Sequence, residues 1–132
     1  MKKLFLLLIL SVNYFSGFTQ NQNSIWIFGD SAGIDFSNLS NPVAINSVMR
    51  GRGSCASVAD STGNLLFYAF TITNTSATST HVYNGQNQLM NNGDSIIGEG
   101  WYNELTIIPL PDSLGIYYLF SIGVTEIGRA HV

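Results

Sequence analysis

Few side chains in this sequence can do proton-transfer or covalent chemistry. His81 is one of two histidines, and Cys55 is the single cysteine. A Ser-His-Asp triad needs a serine and an acid brought to His81, and the sequence contains no Gly-x-Ser-x-Gly elbow to supply the nucleophile. A Cys55–His81 thiolate pair would require the fold to join two distant residues. The simpler expectation is a small apolar cysteine on a strand and a structural strand histidine. Paired carboxylates can hydrolyse glycosides. Glu99 and Glu104 stand beside Trp101 and Tyr102, and aromatic rings stack on sugars, so Trp101 and Tyr102 are the candidate ligand contacts. Trp26, Tyr117 and Tyr118 complete the aromatic set, most of which is expected in the core. Asp30, Asp60 and Asp112 lack the dense Asp-x-Asp spacing of a calcium loop. No catalytic residue, metal or cofactor is expected.

The acids have a structural reading instead. Asp30-Ser31-Ala32-Gly33, Asp60-Ser61-Thr62-Gly63 and Asp112-Ser113-Leu114-Gly115 share the pattern Asp-Ser-x-Gly, each between β-rich runs. An Asp carboxylate accepts a backbone N–H two residues on, and Gly takes a positive φ at little cost. Asp30, Gly33, Asp60, Gly63, Asp112 and Gly115 are therefore expected to build hairpin turns. The second and third copies are 52 residues apart.

The elements that carry these turns read as short strands. β-rich runs are expected at residues 24–28, 33–36, 42–45, 54–59, 64–70, 80–83, 88–90, 104–110 and 116–122. Asn84-Gly85-Gln86-Asn87 is a strong hairpin signal. Residues 71–80 are rich in Thr, Ser and Asn and read as an exposed loop. No sustained helical periodicity is present. The class is therefore all-β. A period near fifty residues with several strands per unit fits the blades of a partial β-propeller, and a β-sandwich is the alternative.

Both ends of the chain stand apart from this pattern. Lys2 and Lys3, the apolar run 4–12, and Gly17 and Thr19 form a signal-peptide order over 1–19, with cleavage expected before Gln20. The apolar run falls short of the ~20 residues of a membrane span. Residues 126–132, Glu-Ile-Gly-Arg-Ala-His-Val, resemble the translation of a short-read sequencing adapter, so the gene is expected to continue past Thr125 and the chain to be a fragment. The remaining 106 residues, 20–125, carry two arginines against seven acids, a formal charge of −5, with no lysine. An acidic surface repels phosphate backbones, so nucleic acid is excluded as a partner. Absence of lysine excludes P-loop and Schiff-base chemistry. One cysteine forms no intrachain disulfide, which fits a bacterial exported protein better than a stapled eukaryotic module.

Two longer motifs bear on origin. Trp26-Ile-Phe-Gly-Asp-Ser-Ala-Gly-Ile-Asp-Phe36 and Gly53-Ser-Cys-Ala-Ser-Val-Ala-Asp-Ser-Thr-Gly-Asn-Leu-Leu-Phe-Tyr68 resemble the opening of large secreted Bacteroidetes surface proteins. Val82-Tyr83-Asn84, Gln88-Leu89-Met90, Ile107-Ile108-Pro109-Leu110-Pro111 and the run 116–120 resemble that family's next strands. The long Ser/Thr-rich stretch 69–80, the Trp101-Tyr102-Asn103-Glu104 segment, and Ser54 ahead of Cys55 depart from its pattern. The resemblance implies an N-terminal β-propeller in a gliding-motility-associated, type IX secretion sorting-domain protein of adhesion type. Implied partners are an extracellular protein or glycan, and the secretion machinery through a C-terminal region not in this sequence. A carbohydrate-active enzyme or carbohydrate-binding propeller is the alternative. Asp-Ser followed by a small or aliphatic residue also resembles the O-glycosylation motif of such proteins, which marks Ser31, Ser61, Ser95 and Ser113 as candidate modification sites.

Overall fold

A computed structural model of the chain describes residues 21–51, 53–73, 78–94, 96–98 and 105–123. The expected leader at 1–19, the tail at 126–132, and Arg52, Ser95, Glu99, Trp101, Tyr102 and Glu104 lie outside the described residues. The fold is all-β. A single 3-10 turn, Asn21–Asn23, precedes nine strands among the described residues: β1 (Ile25–Phe28), β2 (Asp30–Asp35), β3 (Val43–Arg50), β4 (Cys55–Ala59), β5 (Leu65–Thr73), β6 (Thr78–Asn84), β7 (Ile96–Ile97), β8 (Leu105–Pro109) and β9 (Tyr117–Ser121).

The strands form three antiparallel meanders. Sheet A runs β1-β2-β3, sheet B runs β4-β5-β6-β7, and sheet C runs β8-β9. Sheet B is the middle layer. On its first face Tyr68 and Phe70, fully buried, pack with Ile25, Ile27 and Met49 of sheet A. On its second face Ala69 and Val82 pack with Leu105 and Leu119 of sheet C. The period-two alternation of β5 makes this work, since Tyr68 and Phe70 point one way and Phe67 and Ala69 the other. A strand covered on both faces needs apolar residues at successive positions, which is what Leu65-Leu66-Phe67-Tyr68-Ala69-Phe70 provides. The first-face core is an aromatic ladder. Phe70 stacks on Tyr83 at 5.6 Å, Tyr68 on Tyr83 at 5.9 Å and Tyr68 on Phe70 at 6.1 Å.

The leading strands lie side by side, and serines stitch them. Ser57 Oγ in β4 donates to the Ile25 carbonyl of β1 at 2.7 Å. The Leu105 N–H of β8 donates to Ser54 Oγ, just ahead of β4, at 2.9 Å. The described residues contain three stacked sheets. They do not close a ring.

Several expected elements differ. Residues 71–80 are not an exposed loop at their ends: β5 continues to Thr73 and β6 starts at Thr78, and Thr71 and Thr80 are buried. Threonine is β-branched and suits a strand, and its hydroxyl tolerates burial when paired, as in the Thr71–Thr80 contact at 3.3 Å. The run 42–45 extends into the eight-residue β3, because Ser47 and Met49 face the core past the expected stop. Residues 88–90 make one bridge, Tyr83 to Leu89, and no strand. The two-residue β7 carries too little pattern to be seen in the sequence. The 116–122 run is apolar on both faces, and one of them is open among the described residues. Tyr117 and Leu119 are half-buried against sheet B, but Tyr118 and Phe120 stand exposed.

Candidate functional site

The three Asp-Ser-x-Gly copies have three different geometries. The second is a tight hairpin turn. Asp60 Oδ1 accepts from the Thr62 N–H at 2.8 Å, the Thr62 hydroxyl at 2.6 Å and the Asn64 N–H at 2.9 Å. Asn64 Nδ2 donates to the other carboxylate oxygen at 3.0 Å. These bonds, led by Thr62 and Asn64 side chains, favour the charged form and hold the Asp60 carboxyl far below the usual carboxylate range. Gly63 takes φ 95°, as the turn requires.

The first copy is not such a turn. Phe28 pairs with Ala32, so the chain reverses over Gly29 to Ser31, with φ 59° at Gly29 and 63° at Ser31. Asp30 and Gly33 lie in β2, and a bulge between Asp30 and Ala32 shifts the register. Gly33 is there for space, since a Cβ would come within 2.8 Å of the Trp26 carbonyl oxygen and Ile27 Cδ1. The third copy sits in a wider loop, closed by the Leu110 N–H to the Ile116 carbonyl at 2.9 Å. Asp112 takes φ 57° in mid-loop, and Gly115 takes φ 75°. Among the marked serines, Ser31 and Ser61 are exposed and Ser113 is half-buried. Ser31 Oγ donates to the Met49 carbonyl at 3.3 Å.

Cys55 and His81 occupy one row of sheet B, each paired across to Phe70 from opposite sides. Two strand spacings put them roughly 10 Å apart, with the Phe70 backbone between. That row forms no thiolate–imidazole pair. Burial raises the Cys55 thiol above its ordinary pKa, which disfavours a nucleophilic thiolate. His81 Nε2 meets Ser79 Oγ at 3.1 Å, and the ring stacks on Phe70 at 6.3 Å. Among the described residues no cluster of three His, Cys, Asp or Glu could hold a metal ion.

A different feature has the form of a binding site. A cleft of about 670 Å³ opens between the 3-10 turn, β1 and the chain leaving β2. Asn21, Asn23, Ser24, Trp26, Phe36 and Asn38 line it, with Ser37 and Leu39. The Ser24 N–H closes the turn on the Asn21 carbonyl at 3.0 Å, and the Phe36 N–H reaches the Ser24 carbonyl at 2.7 Å. Trp26 stays 57% exposed because the alternation of β1 sends Ile25 and Ile27 inward. Its indole is fixed, with Nε1 donating to the Asn23 carbonyl at 3.0 Å and Phe36 edge-on at 5.2 Å. At the rim Asp35 Oδ1 accepts the Ser37 N–H at 2.7 Å. The Ser37 side chain and then its backbone hold the Asp35 carboxyl below its usual range. Ser24 Oγ is buried with no hydrogen-bond partner among the described residues. No family model, curated protein or solved structure matches the chain. What the cleft can do must come from its chemistry: a fixed aromatic face ringed by amides and hydroxyls recognises small polar rings. Sequence reasoning placed Trp26 in an aromatic set mostly expected in the core, named Trp101 and Tyr102 as contacts instead, and missed Asn21, Asn23, Phe36 and Asn38. The available signal was the pair of short Asn/Ser-rich segments flanking the β1–β2 hairpin.

Proposed function

We propose that the chain is a non-enzymatic binding scaffold, the N-terminal part of a β-propeller in a secreted, cell-surface adhesion or interaction protein. The observation that carries this reading is the side-by-side arrangement of β1, β4 and β8, the first strands of three successive face-stacked meanders. Propeller blades stack in this way, each burying both faces against its neighbours. The signal-peptide order of residues 1–19 supports export, with cleavage before Gln20. Intact-mass analysis of material released by an exporting bacterial host tests the address: a product starting at Gln20 supports it, and a product retaining Met1 overturns it. Immobilised protein should capture an extracellular protein or glycan from defined arrays without turning it over. Steady product release from any arrayed glycan would overturn the non-enzymatic reading.

The Trp26 cleft favours a second reading, a carbohydrate-binding propeller. Trp26→Ala removes the stacking face, and glycan-array binding should then fall at least tenfold while the near-ultraviolet dichroism of the Tyr68 ladder persists. Unchanged glycan binding would remove the cleft from the site.

A further inference from the structure

Sheets A and B frame a second cavity, of about 370 Å³, where the edge strand β3 passes over the first face of sheet B. Val48 and Arg50 of β3, Phe70 and Ile72 of β5, Tyr83 of β6 and Asn87 line it. It shares no residue with the Trp26 cleft, and both sheets that form it lie within the described residues. Hydrogen bonds fix its frame. The Val48 N–H donates to the Tyr68 hydroxyl at 3.2 Å, which ties β3 to sheet B. That hydroxyl donates in turn to Asn87 Oδ1 at 2.7 Å. The Asn87 backbone stands at φ 62°, with its N–H on the Asn84 carbonyl at 3.0 Å. Asparagine is one of the few residues that tolerate this left-handed conformation.

We infer that this cavity binds a small carboxylate with a ring-shaped body. The polar groups it offers are donors. The Tyr68 hydroxyl occupies the amide oxygen of Asn87, which leaves Nδ2 as the group offered to a ligand. Arg50 is the only lysine or arginine among the described residues, and a guanidinium grips a carboxylate through two parallel bonds. A planar anion accepts from both groups at once, whereas a neutral ligand forgoes the charge-assisted bond. The rest of the wall is apolar, made by Val48, Ile72, the Tyr83 ring and the edge of the buried Phe70. Those surfaces suit the body of the ligand, and the volume lies within the roughly 300–1,000 Å³ of small-molecule sites. The chain as a whole is acidic, with a formal charge of −3, so its general field does not draw anions. Recognition rests on the local donor pair. Asp30, the Cα partner of Arg50 in β2, is an acid with which the ligand competes.

The test titrates the whole chain with benzoate and with glucuronate, a free aromatic acid and the acidic unit of a glycan. The NMR signals of the Asn87 side-chain amide and of Arg50 Nε report binding. At least one acid should move both signals saturably, and which one does so identifies the source of the carboxylate. Benzamide and methyl glucoside, the neutral counterparts, should move neither. Arg50→Gln should weaken binding about tenfold through loss of the charge-assisted bond. Asn87→Asp is the sharper variant. Aspartate tolerates the left-handed backbone and still accepts from Tyr68, but it replaces the donor by a second anion. Binding should then be lost while the near-ultraviolet dichroism of the Tyr68 ladder persists. Asn87→Gly, which keeps the backbone and deletes the donor, replaces that variant if it does not fold. Asp30→Asn should tighten binding by removing the competing acid. Failure of both acids to bind overturns the inference. So does equal binding of the neutral counterparts or of acetate, binding that survives both Arg50→Gln and Asn87→Asp, or weaker binding in Asp30→Asn. Trp26→Ala should leave acid binding unchanged, and a loss there would mean that the signals report the Trp26 cleft instead.

Discussion

Leu105 donates its backbone N–H to the side chain of Ser54, 51 residues earlier, at 2.9 Å. Leu105 opens β8, and Ser54 stands at the threshold of β4. A hydroxyl supplied by one sheet thus satisfies the first amide of the next. Both residues are buried, at 5% and 4% exposure, so water cannot replace the bond.

Ser54→Ala should therefore cost about 1–3 kcal/mol, the penalty of stranding a buried donor. Urea unfolding measures it. The Leu105 amide should lose exchange protection before the amides of β5. A change under about 0.5 kcal/mol, the usual range of an inert surface substitution, would mean that the sheets hold together without the stitch.

Asp60 makes stability depend on pH at the acid end. Its folded-state pKa is depressed by the Thr62 and Asn64 bonds, so the unfolded chain binds the proton more readily. The contribution is complete above the unfolded aspartate value of about 4 and is lost as pH falls below it. Asp35, depressed by Ser37, acts in the same direction. The urea midpoint should fall on acidification below this value, and less steeply in Asp60→Asn. A variant whose pH profile superimposes on the parent's would show that the turn network does not outlast solvent competition.

Gly63 and Gly115 separate backbone strain from crowding. Both have positive φ, 95° and 75°. A Cβ at Gly63 would lie 2.7 Å from Ser37 Oγ, whereas nothing lies within 4 Å at Gly115. Gly115→Ala should cost about 1–2 kcal/mol from the left-handed conformation alone. Gly63→Ala should cost more, and Ser37→Gly in that background should recover the difference. Equal losses at the two sites would rule out the crowding term.

Cys55 should be a slow thiol. Burial raises its pKa, and its side chain packs beside the Tyr68–Phe70 core. Alkylation at pH 8 should be at least tenfold slower in the folded protein than in urea-unfolded chain. Equal rates would mean that the β4 row opens readily.

The all-β class could be read from the residues because its signals are local. Alternation in β1, the Asn-Gly hairpin after β6, and the Asp-x-x-Gly turn after β4 each depend on a few neighbouring residues. The same local patterns do not say where a turn sits to within a residue. Asp30-Ser-Ala-Gly33 and Asp60-Ser-Thr-Gly63 look alike, yet the first lies in β2, where pairing with β1 starts at Ala32 and pairing with β3 passes through a bulge. The Thr-rich ends of β5 and β6 read as solvent-facing, and only pairing with each other and packing against Ser121 buried Thr80. Which apolar face is covered is also a tertiary matter. The composition of β9 is apolar on both sides, but sheet B reaches only Tyr117 and Leu119. The cleft arises the same way, since Asn21, Trp26 and Asn38 meet only when β1 pairs with β2. Side-chain period and turn chemistry are properties of adjacent residues and can be read along the chain. Register, coverage of a face and convergence of side chains depend on residues tens of positions away, so they exist only once the sheets have stacked.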